Sequence, residues 1–234
     1  MFLACDIGNT NTKWGLFEND RLKDLLIIPN EKFDLSFLNG KKINSVAISS
    51  VVPDLTKQIY FHLQNNFSIT PFLITKDSKF NLIIDYETPE TLGIDRVCSA
   101  EGALYLFKKE TKNKNNEYFL VSIDFGTATT INIVNNENKF SGGIIAPGIE
   151  TMFSSLHKET AQLPKVTADD YKYIIGKSTI SSIASGVINS QLGLIESVLN
   201  NLKQNSTYEV YLYITGGNAK KIIPHLTHEF IYAE

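Results

Sequence analysis

The stretch Asp6-Ile-Gly-Asn-Thr-Asn-Thr12 returns 118 residues later (124 minus 6) as Asp124-Phe-Gly-Thr-Ala-Thr-Thr130. Asp, Gly and the last Thr fall on one another without a gap, and the same offset carries Ile27-Ile28-Pro29 onto Ile145-Ala146-Pro147. Self-similarity at a fixed spacing signals a duplicated architecture. Outward from each motif the pattern predicts strand, tight turn, strand, turn, strand. Phe2–Cys5 and Leu120–Ile123 are apolar runs of strand length, and Lys13–Phe17 and Thr130–Val134 return after the motif. Polar clusters at Glu18–Asp20 and Asn135–Asn138 close the next turn, so third strands are expected near Leu22–Ile28 and Phe140–Ile145.

Helices should follow in both halves. Leu55, Ile59, Leu63 and Phe67 recur every four residues behind Pro53, a favourable first helical position. Ile94, Val97, Cys98, Leu104 and Phe107 mark a second helix, and Ile180 through Leu202 a long third one. The Lys- and Asn-rich stretch Lys108–Glu117 separates the copies. Two α/β domains are therefore expected, 1–115 and 116–234, with mixed sheets facing across a cleft. The long helix carries Ile183, Val187, Ile188, Leu192 and Ile195, a stripe wider than one core contact needs. That width predicts either a homodimer interface or a helix buried between the chain's own domains.

Composition removes several function classes. The 234 residues are 43% hydrophobic and 20% charged with a net charge of −3, enough apolar content for a sizeable core. They lack the clustered Lys and Arg by which nucleic acid or a membrane surface is held, so neither partner is expected. No apolar run is long enough to span a bilayer. Met1-Phe-Leu-Ala-Cys5 meets Asp6 with no basic lead, so a signal peptide is not expected either. Cys5 and Cys98 fit no metal or redox spacing and suit a reducing, cytoplasmic setting.

A strand that ends in Asp-x-Gly-x-Thr-x-Thr and turns straight back is suited to phosphate. The glycine lets backbone approach an anion closely, successive N–H groups make a concave anion site, and threonine hydroxyls add donors. The leading Asp can hold a cation, or its waters, against the phosphates. A single copy is as well explained by an ordinary hairpin turn; two copies at equivalent places favour chemistry. A third glycine signal is Leu212-Tyr-Ile-Thr-Gly-Gly-Asn-Ala219, a strand, a Gly216-Gly217 junction and a short helix, where bare backbone could lie against a purine. Gly176-Lys-Ser-Thr179 imitates the tail of a P-loop, but that loop needs a glycine where Tyr171 stands. Gly93-Ile-Asp-Arg96 opens the second helix below Tyr86, and an acid beside a guanidinium there could orient a hydroxyl and clamp a carboxylate. The plainer reading is a first-turn helix charge next to a surface arginine.

The three glycine elements resemble the superfamily of actin, sugar kinases and heat-shock ATPases, which implies ATP between two ribonuclease-H-like domains. More narrowly, Asp6–Thr12, Ser49-Ser-Val-Val-Pro53, Gly93–Arg96, Asp124–Thr130 and Gly142–Gly148 resemble the motifs of type III pantothenate kinases. Leu156 through Pro164, Gly176–Thr179 with Gly186, and Thr215–Gly217 continue the resemblance in the family's order. It implies that Asp6, Ile7, Gly8, Asn9, Thr10, Asn11, Thr12, Lys13 and Thr127 bind ATP, with Gly216 and Gly217 near the adenosine. It implies Asp95 as the catalytic acid-base residue, and Tyr86, Gly93, Ile94, Asp95, Arg96 and Thr179 as the pantothenate site. Asp124 would hold a monovalent cation, K⁺ or NH₄⁺, and Asp6 would serve Mg²⁺ directly or through water. A homodimer is usual in that family. Ile94 stands where the family often has Ala, which bears on pocket shape, and the chain stops at Glu234 where many relatives continue with another strand. The alternatives are a superfamily kinase acting on a sugar or acyl acid, and a non-catalytic regulator resembling the Bvg accessory factors.

Overall fold

The computed structural model describes residues 1–110, 117–204 and 208–233. They form two compact units, Met1–Phe80 with Glu90–Cys98, and Asn81–Pro89 with Ser99–Glu234. The expected boundary between 115 and 116 lies outside the described residues.

The first unit is built on β1 (Phe2–Ile7), β2 (Asn11–Glu18), β3 (Arg21–Pro29), β4 (Ser45–Ser50), α1 (Pro53–Phe67) and β5 (Phe72–Leu73). The sheet runs β3-β2-β1-β4-β5, with β1 antiparallel to β2 and parallel to β4. Period-two alternation sends Leu3, Cys5 and Ile7 into a core shared with Trp14, Leu16, Val46 and Ile48. Asp6 consequently belongs to the opposite face, between Lys13 on β2 and Ser49 on β4 in register. Helix α1 starts at Pro53 and ends on Ser68 in the left-handed region (φ 56°). Its four-residue stripe, Leu55, Ile59 and Leu63, closes that core as the sequence predicts.

The second unit begins with β6 (Ile83–Ile84). Helix α2 (Ile94–Glu110) starts in the first unit and continues in the second. Then come β7 (Tyr118–Phe125), β8 (Ala128–Asn135), β9 (Lys139–Pro147), α3 (Ile149–Lys158), α4 (Thr179–Gln204), β10 (Glu209–Thr215), α5 (Ala219–Ile222) and β11 (Ile231–Tyr232). The sheet order is β11-β10-β7-β8-β9-β6. Read from β9, the run β9-β8-β7-β10-β11 repeats β3-β2-β1-β4-β5, with the same antiparallel and parallel pairings. This is the duplicated ribonuclease-H-like α/β fold with mixed sheets. A two-residue strand, β11, follows the Gly-Gly helix and pairs parallel to β10.

Two expectations change. The apolar stripe of α4 is filled by its own unit: Val187, Ile188, Ile195, Val198 and Leu199 join Val121, Ile123, Phe125 and Ile131 in one core, and Ile183 and Leu192 pack against it. Its width reflects a helix lying on a central sheet. The gapless offset also fails inside the repeat. Asp6 pairs with Lys13, but Asp124 pairs with Thr130, so the first unit's motif turn is one residue longer. Thr12 therefore corresponds to Thr129, both nearly fully buried, rather than to Thr130. The next turn compensates, with Asn19-Asp20 between Glu18 and Arg21 against Asn136-Glu137-Asn138 between Asn135 and Lys139. Both β2–β3 and β8–β9 carry a bulge just before that turn, between Leu16 and Phe17 and between Ile133 and Val134.

Candidate functional site

In the first unit the motif forms the β1–β2 turn. Gly8 N–H donates to the Asn11 carbonyl at 3.1 Å, and Asn9 and Thr10 are exposed at its tip. Ile7 is fully buried, so only its backbone can meet a ligand. Thr12 is buried, and its hydroxyl donates to Asn30 Oδ1 at 2.8 Å, so it braces the turn instead of facing outward. Asp6 is half-exposed, and Lys13 Nζ stands 3.9 Å from its Oδ2. A partly solvated pair at that distance contributes about 0–1 kcal/mol, so the ammonium can turn to a phosphate at little cost. Beside Asp6 in register, Ser49 Oγ is buried without a hydrogen-bond partner among the described residues.

The segment Gly93–Arg96 also belongs to this unit. The Gly93 carbonyl accepts from Arg96 N–H at 3.1 Å and Val97 N–H at 3.3 Å, so the glycine caps α2. A Cβ there would stand 2.4 Å from Asp95 Oδ1, so the glycine leaves room for the carboxylate to fold back over it. Asp95 is exposed in the first helical turn. Arg96 is only 5% exposed, which corrects the surface-arginine reading. Arginine is seldom buried so deeply without a specific task.

In the second unit the equivalent turn is tighter, with Gly126 N–H donating to the Ala128 carbonyl at 3.0 Å. The Thr127 carbonyl accepts from Gly148 N–H at 3.0 Å and from Thr151 Oγ1 at 2.7 Å, which leaves the Thr127 side chain exposed. A Cβ on Gly148 would meet the Gly126 carbonyl at 2.3 Å, so this close approach requires glycine. Gly216 (φ 103°) is pressed on the same strand end, where a Cβ would lie 2.4 Å from both Asp124 Oδ1 and Phe125 N. Its missing side chain serves protein packing, whereas Gly217 faces open space. The two glycines, expected to share one role, have two.

Tyr86 is placed by β6, which the sequence reading missed. Ile83 and Asp85 N–H groups donate to the Asn138 and Phe140 carbonyls at 2.9 and 3.2 Å, and the Tyr86 ring meets Phe140 edge-on at 5.8 Å. Thr179 is the exposed first residue of α4. The P-loop imitation before it is a helix cap. Ser181 N–H donates to Ser178 Oγ at 3.2 Å, Ser178 N–H donates back to Ser181 Oγ at 3.0 Å, and Gly176 lies against Ser182.

Among the described residues no cluster of three His, Cys, Asp or Glu side chains could hold a metal. Any ion here would complete its shell with nucleotide oxygens and water, the habit of Mg²⁺. Half-exposed Asp6 fits that role, and the Asp124 oxygen held in the glycine cradle suits a hard monovalent cation.

The family model for type III pantothenate kinase matches residues 2–201. The chain belongs to the type III pantothenate kinase family. It is 34% identical to a type III pantothenate kinase of Sulfurihydrogenibium sp. (strain YO3AOP1), covering 100% of this chain and 95% of that one. It is 30% identical to one of Persephonella marina (strain DSM 14350 / EX-H1), covering 99% and 93%. Among solved structures it resembles a Campylobacter jejuni protein named for the Baf family of transcriptional activators. That likeness has a TM-score of 0.60 at 23% identity, covers 99% and 91% of the two chains, and speaks to the fold. Asn30 was not singled out from sequence, and Gly148 and Asn218 stood inside quoted motifs without a role of their own, although Asn30 and Gly148 each follow a proline matched by the 118-residue offset (148 minus 30).

Proposed function

We propose that this chain transfers the γ-phosphoryl group of ATP to the primary hydroxyl of pantothenate, giving ADP and 4′-phosphopantothenate, the first step toward coenzyme A. The carrying observation is the family match over residues 2–201, whose span holds two equivalent Asp-x-Gly turns with exposed tips, at Asn9 and Thr10 and at Thr127. The bond from the γ-phosphorus to the β,γ-bridging oxygen breaks, and an ester bond to the substrate oxygen forms. Such a transition state is loose, so positioning and charge neutralisation carry most of the acceleration.

In this reading the Asp6–Lys13 turn and Thr127 hold the phosphates, and Gly217 offers bare backbone to the base. Asp95 orients the hydroxyl and takes its proton late. Buried Arg96 presents its planar fork to the substrate carboxylate, with Tyr86, Gly93, Ile94 and Thr179 completing the pantothenate contacts. Mg²⁺ near Asp6 and K⁺ or NH₄⁺ at Asp124 would supply charge neutralisation when bound. A homodimer also belongs to this reading. With the stripe of α4 filled, its apolar surface is Tyr173, Ile174 and Ile175, 62%, 70% and 74% exposed, with Ile180 at the start of α4. No described helix is long and apolar enough to cross a membrane, and a cytoplasmic location is proposed.

Coupled detection of ADP with and without pantothenate tests the reading. Pantothenate-dependent ADP release is the expected result. Release stimulated only by a sugar or acyl acid would move the substrate. No release with any acceptor would favour the regulator.

A further inference from the structure

One residue outside the motif holds the first phosphate turn at three alternate positions, two through its side chain and one through its backbone. Asn30 follows β3, and its Nδ2 donates to the Gly8 carbonyl at 2.8 Å. Its Oδ1 accepts from the Thr12 hydroxyl at 2.8 Å, and its backbone N–H donates to the Thr10 carbonyl at 3.0 Å. The orientation of the amide is chemically fixed, because a carbonyl can only accept and so Nδ2 must face Gly8. In the second unit Asn218 follows the Gly216-Gly217 junction and its Nδ2 donates to the Gly126 carbonyl at 3.3 Å. Asn218 N–H donates to the Phe125 carbonyl at 3.0 Å, and Asn218 Oδ1 accepts from Lys221 Nζ at 3.1 Å. Two unrelated places in the chain thus deliver an asparagine amide to the same atom of the repeat, the carbonyl of the motif glycine.

The consequence follows from the planar trans peptide, in which C=O and the next N–H point in opposite directions. Pinning the Gly8 carbonyl inward turns the Asn9 N–H away from Asn30, and pinning the Gly126 carbonyl turns the Thr127 N–H away from Asn218. Asn9, beside Thr10, and Thr127 lie exposed at the tips of the two turns. We infer that Asn30 and Asn218 are positioning residues that aim the Asn9 and Thr127 N–H groups at nucleotide phosphate by fixing the carbonyls of Gly8 and Gly126. The inference rests on the ATP-binding reading above. A glycine carbonyl left loose could swing its oxygen toward the phosphate, replacing a donor by a repelling acceptor.

Titration calorimetry of the full chain with ATP and with adenosine tests this. Asn30→Asp keeps the acceptor for Thr12 and the backbone N–H, but faces the Gly8 carbonyl with an oxygen. ATP binding should weaken roughly 10- to 100-fold, the range of one charge-assisted hydrogen bond. Adenosine, which has no phosphate, should bind within about twofold of the parent, because a single surface change away from its contacts is near neutral. In the kinetics KM for ATP should rise while KM for pantothenate holds. Should Asn30→Asp fail to fold, Asn30→Gly substitutes the residue found at the repeat-equivalent position, Gly148, and should show the same selectivity. Asn218→Ala removes a longer bond and should cost ATP affinity less, roughly 3- to 10-fold. Parent-like ATP affinity in both Asn30 variants overturns the inference, as does equal loss of ATP and adenosine, which would mark a merely structural role. A parent chain that binds no ATP overturns the nucleotide reading itself, and this inference with it.

Discussion

Replacing Gly216 by Ala asks whether the Gly-Gly junction is a packing contact or a ligand surface. The backbone there has φ 103°, and a Cβ would stand 2.4 Å from Phe125 N, 2.7 Å from Phe125 C and 2.4 Å from Asp124 Oδ1. Two of those three atoms are main chain on the central strand of its sheet and cannot rotate away. Holding a non-glycine residue in so sparse a conformation costs about 1–3 kcal/mol. Overpacking against a rigid neighbour adds about 1–3 kcal/mol. The sum, roughly 2–6 kcal/mol, is a large share of the 5–15 kcal/mol that stabilises an ordinary domain. At about 2–4 °C per kcal/mol for a chain of this size, Gly216→Ala should melt roughly 4–24 °C early. Gly217→Ala is the matched control, since nothing lies within 4 Å of its Cβ. It should melt within about 2 °C of the parent, as surface changes do, yet bind ATP more weakly if the base lies there. Thermal melts followed by circular dichroism, with ATP titrations on both variants, read the two effects separately. A Gly216→Ala protein that melts with the parent would refute the packing argument, and the reverse order of the two variants would exchange the glycines' roles.

Asp95→Asn should lower turnover by roughly 10²–10⁴ with ATP binding intact, as for other positioned acid-base groups; near-normal turnover removes Asp95 from the chemistry. Activity should depend on K⁺ or NH₄⁺ at matched ionic strength and lose that dependence in Asp124→Asn, whereas rates indifferent to the cation in the parent exclude the ion. Burial, and secondarily the neighbouring Asp6 charge, push the Cys5 thiol far above its ordinary pKa, so it carries almost no reactive thiolate in the folded chain even at pH 9. A maleimide should therefore label the more exposed Cys98 first and Cys5 only on unfolding; early Cys5 labelling would show that β1 opens.

What was legible followed from periodicity and from glycine. The four-residue spacing in α1 marked its buried face, while the apolar run Phe2–Cys5 announced β1 as a strand without saying which face Asp6 would take. The stripe on α4 was read correctly as apolar but could not name its partner, because a helix lying on a central sheet and a helix at an interface write the same pattern. Strand β6 pairs only Ile83 and Ile84. At two residues it is too short for any alternation to announce it, and its partner β9 lies more than 50 positions on in sequence (139 minus 83). Tyr86 was therefore found by motif, with nothing in the local pattern to say what held it.

The repeat shows most clearly why sequence located both turns and misread their register. An extra residue in the β1–β2 turn and an extra residue in the β8–β9 turn cancel, so the motif glycines and the prolines behind β3 and β9 keep one offset while β2 and β8 shift by one between them. A one-residue shift in a strand exchanges its faces. The gapless alignment thus matched buried Thr12 with partly exposed Thr130, when the buried partner is Thr129, whose hydroxyl donates to Gln191 at 2.7 Å. The same shift gives Lys13 the strand position of Thr130. Lys13 stands 3.9 Å from Asp6, whereas Thr130 is the residue that faces Asp124 across the ladder. The two turns therefore differ at the strand position that faces the motif carboxylate. The position beside the motif carboxylate thus holds an ammonium in the first unit and a hydroxyl in the second, a difference that the gapless alignment conceals.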